Sequence, residues 1–251
     1  MTLHQKLEYH YHLRNENEDF LTPDPIMVLK EYAEHKHFEL IALTCALFSY
    51  GNARQIVKFL RALDFDCLDK RTLKHVIFPH YRFQNAHDVQ MFFEILQKIG
   101  ASGGIKAVML EGYYQAKQSQ GQEGILRAIG KCIEKMYAQI KQKPSRGLEH
   151  LLGSRGASKS PLKRYNLFLR WMVRKDKIDF GCWREFLPSD LILPLDVHTF
   201  MVSRKLGLLE RKTCDLKSAL LLTDVLKQYD SKDPVKYDFA LYRIGQEKIL
   251  I

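Results

Sequence analysis

Thirteen consecutive residues, Phe38 to Tyr50 (FELIALTCALFSY), are apolar around nearly the whole circumference of a helix. A helix that is hydrophobic on all sides has to be enclosed by other elements. The segment carries Glu39 and falls short of the roughly 20 apolar residues that a bilayer span requires. It therefore predicts a buried helix in a globular chain. The 251 residues, 46% of them hydrophobic, are enough for one large domain or two lobes.

Helical periodicity dominates the rest of the sequence. A start at Thr22-Pro23, a capping residue followed by proline, leads into DPIMVLKEYAEH. Gly51-Asn52 breaks the apolar helix, and ARQIVKFLRAL follows. Asn85 caps AHDVQMFFEILQKI, which ends at Gly100; GGIKAVMLEGYYQAK and GILRAIGKCIEKMYAQIKQK come next. KPSRGLEHLLGSRGASKSP reads as the most irregular connection. Beyond it come a helix headed by Lys163, a turn through Asp179-Phe180-Gly181 and a helix headed by Asp196. DLKSALLLTDVLKQY and a helix capped by Asp233-Pro234 finish the chain. Strand alternation, internal repeats and low-complexity tracts are missing. The expected fold is all-α with about eleven to thirteen helices, given helix lengths of roughly 10–14 residues.

The net charge of +10 suggests a polyanionic partner, and its distribution sharpens that reading. Between Lys141 and Lys177 stand eleven Lys/Arg against two acids, a balance of +9 that is nearly the whole excess. Clustered cations release counterions from a phosphate backbone, so a nucleic-acid contact explains the cluster better than a merely solvated face. Five cysteines, at 45, 67, 132, 182 and 214, are irregularly spaced and form no CxxC pair. A zinc ribbon or cysteine-ligated cluster is not expected, and the scatter suits a reducing compartment. The N-terminal stretch is polar and has no apolar signal core. The expectation is a cytoplasmic protein that does not engage a membrane, with no metal site.

Two segments carry chemistry. In PLKRYNLFLRWMVRK, residues 163, 166, 170 and 174 share one helix face, while Tyr165, Phe168, Leu169 and Met172 share the other. The second set is expected in the core, and the basic face toward solvent or a partner. Lys163 falls in the first turn, where the helix dipole is positive and Arg164 adds charge; both favour the neutral, nucleophilic amine. A plain phosphate contact remains the competing role for Lys163. In PLDVHTFMVSRKLGL, Asp196 precedes a helix and reads first as an N-cap. A capping carboxylate stays ionised and rigid, which is also what a developing sugar cation needs nearby. His198 reads as a packing residue or phosphate contact, since no further ligand stands at metal spacing.

KRYNLFLRW resembles the second helix of the helix–hairpin–helix motif in DNA glycosylases of the endonuclease III superfamily, where a catalytic lysine heads a helix with a K-x-x-N pattern. PLDVHTFMVSRKLGL resembles the segment that carries that superfamily's catalytic aspartate. FELIALTCALFSYGNAR looks like its early helix, which ends in a duplex-probing loop, and DPVKYDFALYRIGQ like its last helix. The LRWMVR, PLDVH and DPVKYDFAL strings look closer still to a bacterial family known only as a conserved domain of unknown function. Two departures stand out. The hairpin's glycine pair is replaced by GASKSPLK, and Lys163 and Asp196 lie 33 residues apart, a longer spacing that resembles the archaeal 8-oxoguanine glycosylase branch.

The resemblance implies two helical lobes around a cleft, one roughly 38–175 and the other roughly 1–37 plus 176–251. It implies base-excision repair: a glycosylase with AP lyase activity that removes an oxidised purine, 8-oxoguanine first, from duplex DNA through a Schiff base on Lys163, with Asp196 as its acid–base partner. Lys159, Arg164, Arg170, Arg174 and His198 would hold DNA. The loop at Tyr50, Gly51 and Asn52 would fill the gap left by the extruded nucleotide; Trp171, Phe180 and Trp183 read first as core residues, with a sandwich around the extruded base as their alternative role. No iron–sulfur cluster or other cofactor is expected, although the hairpin leaves room for a monovalent cation, and a monomer is expected. The alternatives are a monofunctional glycosylase, with Asp196 activating water, and a non-catalytic helical nucleic-acid binder.

Overall fold

The computed structural model describes residues 1–16, 22–115, 121–156 and 158–247. It is all-helical, with twelve α-helices, short 3-10 turns and no strand among the described residues. The chain divides into two compact units. The first comprises Met1–Thr22, Ser119–Ile125 and Ser158–Ile251; the second comprises Pro23–Gln118 and Leu126–Ala157.

The second unit is built around α3 (Phe38–Leu47), whose residues 40–47 are all buried, as the all-round apolar pattern requires. α2 (Pro25–Lys30) packs against α3 and α4 (Ala53–Arg61). α2 starts two residues later than expected: Asp24, not Thr22, accepts a hydrogen bond from Ile26 N, with Pro25 in the first helical position. Asn52 ends the break after α3 by capping α4. α5 (Ala86–Ala101) opens with a reciprocal capping box between Asn85 and Asp88. α6 (Gly104–Tyr114) packs on α3 and α5. Its expected extension through Ala116 and Lys117 lies outside the described residues. α7 (Gln122–Tyr137) crosses the unit boundary at Ile125. The supposedly irregular connection contains α8 (Arg146–Leu152), capped by the Ser145 hydroxyl and burying Leu148, Leu151 and Leu152 against α5.

The first unit gathers both ends of the chain. α1 (Leu3–Asn15), a helix that the polar N-terminal stretch concealed, starts with a Thr2–Gln5 capping box and packs on α12 (Asp238–Glu247). Arg14 reaches Glu247 at 2.8 Å, and the Tyr237 hydroxyl donates to Glu8. α9 (Lys163–Val173), α10 (Val197–Lys205) and α11 (Leu216–Leu226) complete the unit, with α10 packed on α12. The division differs from the expected lobes. Residues 23–37 join the second unit because α2 packs on α3 and α4. Residues 158–175 join the first because the arginines of α9 find their carboxylates there. No helix among the described residues is long and apolar enough to cross a membrane.

Candidate active site

Lys163 is the first residue of α9, and the chain reaches it through an unusual turn. Leu162, the N-cap, has φ 51° and ψ 32°, the left-handed conformation that a side chain other than glycine enters at a cost of about 1–2 kcal/mol. Several bonds hold it there. Leu162 N donates to Ser160 Oγ at 3.3 Å, and its carbonyl accepts from Asn166 N at 3.0 Å. The Asn166 side chain, buried one turn below Lys163, donates from Nδ2 to the Pro161 carbonyl at 3.0 Å. The loop is tied to α11 by Leu216 N donating to the Lys159 carbonyl at 2.9 Å. Lys163 and Arg164 are half-buried and Lys159 is exposed.

Below Lys163 the basic face turns inward, contrary to expectation. Arg170 and Arg174 are only 3% and 2% exposed, so neither can touch a nucleic acid. Arg170 binds Asp179 through Nε at 3.2 Å and Asp238 through Nη1 at 2.5 Å. Arg174 binds Asp179 and Asp176 through Nη1 and Asp233 through Nε at 2.8 Å. Helical spacing put the cations on one face correctly. Of the carboxylates that draw this face inside, Asp176 and Asp179 lie just beyond the helix while Asp233 and Asp238 come from the end of the chain; helical periodicity shows neither pairing. Burial opposes the charge on Arg170, but Asp179 and Asp238 outweigh it and its pKa stands above the ordinary value. The opposite face, with Tyr165, Phe168, Leu169 and Met172, is buried as expected.

Trp171 and Trp183 are also core residues, 1% and 0% exposed, which excludes them as a base pocket. Trp183 packs edge-on to Phe168 and stacks on Phe186. Phe180 is half-buried and pairs with Lys175 in an isolated antiparallel bridge.

Asp196 caps α10: its Oδ1 accepts from Thr199 N at 2.9 Å. Its second oxygen makes no hydrogen bond among the described residues, and the side chain is half-buried. His198 is exposed and lies edge-on to Tyr242 of α12. Asp238, the first residue of α12, is buried and bonded to Arg170. Its carboxyl is pushed up to about 6, first by burial. The Arg170 guanidinium opposes the rise, and the charges of Asp196 and Lys163 act on it in opposite directions. One buried carboxyl thus stands within electrostatic reach of both. Asp238 escaped the sequence reading, although two arginines on a helix face that also carries Asn166 hint that buried acids must answer them.

Tyr50, Gly51 and Asn52 belong to the second unit. Asn52 is exposed and caps α4 by accepting from Arg54 N and Gln55 N. Gly51 has φ 101° beside Arg82, a conformation that strains any residue with a side chain. α8 and α9, which flank the expected hairpin connection, fall in the second and first unit respectively. Among the described residues no group of three His, Cys, Asp or Glu side chains is placed to hold a metal ion.

The fold and the two helix starts define an all-helical protein with a lysine and a capping aspartate at the heads of two helices of one unit. The chain belongs to the family described as protein of unknown function (DUF2400), which matches residues 24–247. No curated protein and no solved structure matches it.

Proposed function

We propose that this chain is a cytoplasmic, monomeric DNA glycosylase with AP lyase activity, acting on an oxidised purine, 8-oxoguanine first, in duplex DNA. The observation that carries the reading is that the amine of Lys163 and the carboxylate of Asp196 head two helices of the same unit. Both are half-buried and both act on the buried Asp238. Lys163 Nζ attacks C1′ of the extruded nucleotide, and the C1′–N bond breaks with the base leaving on its electron pair. The second oxygen of Asp196 faces the positive charge that develops on the sugar and then accepts a proton from the amine. Ring opening gives an imine at Lys163, and loss of a C2′ proton expels the 3′ phosphate, which nicks the strand. Exposed Lys159, Lys175 and Lys177, with half-buried Arg164, supply phosphate contacts in place of the buried arginines.

Borohydride reduction during incubation with an 8-oxoguanine duplex should trap a covalent protein–DNA adduct. Lys163→Gln and Lys163→Arg should both abolish it, although the arginine keeps the charge that a phosphate contact needs. An adduct of undiminished yield with Lys163→Arg would overturn the assignment. Base release without adduct or nick would transfer the chemistry to water activated by Asp196.

A further inference from the structure

A tight turn in the second unit presents two exposed side chains, Arg82 and Phe83, at its tip. Tyr81 and Gln84 close it with paired backbone hydrogen bonds of 2.8 and 2.9 Å. Arg82 has φ 51°, the only non-glycine residue besides Leu162 with positive φ among the described residues. Strain of this kind persists only where surrounding contacts enforce it, and here they do. Gln84 donates to the Gly147 carbonyl at 2.7 Å and accepts from the Tyr50 hydroxyl, while the Tyr81 hydroxyl donates to the Tyr50 carbonyl at 2.6 Å. A side chain at Gly147 would collide with the Phe83 carbonyl and the Asp88 carboxylate, so α8 lies directly against the turn.

This support positions a set of rings that contributes little to the core. Phe83 is 59% exposed, a large apolar surface at a loop tip. Its ring lies almost parallel to Tyr50, 6° between planes and 6.2 Å between centres. His150 of α8, also exposed, stands 4.9 Å from Tyr50 and 4.7 Å from Phe83. The Arg82 guanidinium lies 5.9 Å from the Tyr50 ring and 5.7 Å from the Phe83 ring. Exposed cations sit on the segments that bear these rings: Arg54 two residues after Asn52, and Lys143 and Arg146 just before and at the start of α8. Asp88 beneath the turn is occupied by Ser145 at 2.5 Å and by the α5 cap.

We propose that Phe83, His150, Tyr50 and Arg82 form a stacking site for an unpaired nucleobase, with the neighbouring cations holding the adjoining phosphates. Exposed aromatic faces beside guanidinium groups accept any base, because every base has a π-face, and the positive surroundings select a polyanionic carrier over a neutral one. The site lies wholly in the second unit and needs neither Lys163 nor Asp196, so it stands apart from the imine chemistry.

The test uses the full chain carrying Lys163→Gln, which excludes covalent trapping, and a fluorescent 2-aminopurine bulged out of a short DNA or RNA duplex. The parent should quench the probe and bind the bulged duplex more tightly than the fully paired one; comparing the two arms identifies which nucleic acid carries the base. Phe83→Ala and His150→Ala should each weaken binding roughly tenfold, the loss expected for one stacked base. Phe83→Trp should retain binding, whereas Phe83→Leu should behave as the alanine variant. Ile77→Ala, at a side chain 93% exposed in the same unit, should change nothing. Equal affinity of Phe83→Leu and the parent, or no preference for the bulge, would overturn the proposal. Borohydride trapping at saturating protein should survive Phe83→Ala, so failure of the stacking site and failure of the lysine chemistry remain distinguishable.

Discussion

Replacing Arg174 by glutamine removes a charge from a place that water does not reach. Arg174 is 2% exposed, and its guanidinium serves three carboxylates: Asp179, Asp176 at 3.1 Å and Asp233 at 2.8 Å. The Asp179 side chain has no exposure at all, and without Arg174 it keeps, among the described residues, Arg170 as its one paired cation. Removing one partner of a buried ion pair costs about 3–5 kcal/mol, because the other charge stays behind. That is a large part of the roughly 5–15 kcal/mol that stabilises a folded protein, and it should lower the melting temperature by about 10 °C. Adding Asp179→Asn should recover part of the loss by removing the stranded charge. The assay is urea unfolding, paired with the salt dependence of duplex affinity. Because Arg174 faces inward, its replacement should leave the slope of log K against log salt unchanged, whereas Lys159→Gln should reduce it by about one. An Arg174→Gln protein within about 0.5 kcal/mol of the parent and with a shallower salt slope would refute the reasoning, since only a surface arginine behaves that way.

Two further predictions follow from the carboxylates. Asparagine caps a helix as well as aspartate does, so Asp196→Asn should melt like the parent while Asp196→Ala loses about 1 kcal/mol; both should slow base release strongly in single-turnover assays, and an unaffected rate would leave Asp196 only a cap. Burial tends to raise the Asp176 carboxyl, but Arg174 and the backbone N–H groups of Asp179 and Ile178 hold it below its ordinary value. A lowered folded pKa gives stabilisation that is present above about pH 4 and lost as the pH falls, so melting temperatures should drop on acidification below about pH 4, and Asp176→Asn should flatten that drop.

Much of the helical content was legible because its signals are local. The apolar run at 38–50, the break at Gly51-Asn52, Asn85 as a cap, and the starts at Lys163 and Asp196 each depend on residues within one or two turns. α1 and α8 escaped for the converse reason. The first is too polar to show an apolar stripe, and the second is seven residues long, with Gly147 inside it and Gly153 after it, recognisable only by Ser145 and its buried leucines. The site was half legible. Lys163 and Asp196 could be picked out from their positions at helix starts, but the direction in which α9 faces is set by Asp179, Asp233 and Asp238, the last 68 residues beyond Arg170. Asp176, two residues after Arg174, is the one partner within a helix turn, and by itself it does not distinguish a buried guanidinium from a solvated one. Trp171 and Trp183 could be read as core or as a base pocket, since aromatic residues look alike in sequence in either place, and burial decides for the core.

The pairing of α1 with α12 bears on how the protein comes into being. Arg14 and its partner Glu247 are 233 residues apart, so during synthesis the first helix emerges long before the surface it must cover exists. The second unit is confined to residues 23–157 and can consolidate while the ribosome is still adding α9 to α12. The first unit closes only when its last helix arrives. Until α12 is made, α10 lacks the helix on which it packs and Arg170 lacks Asp238, so the helices headed by Lys163 and Asp196 wait for a segment that lies far from both ends of the second unit.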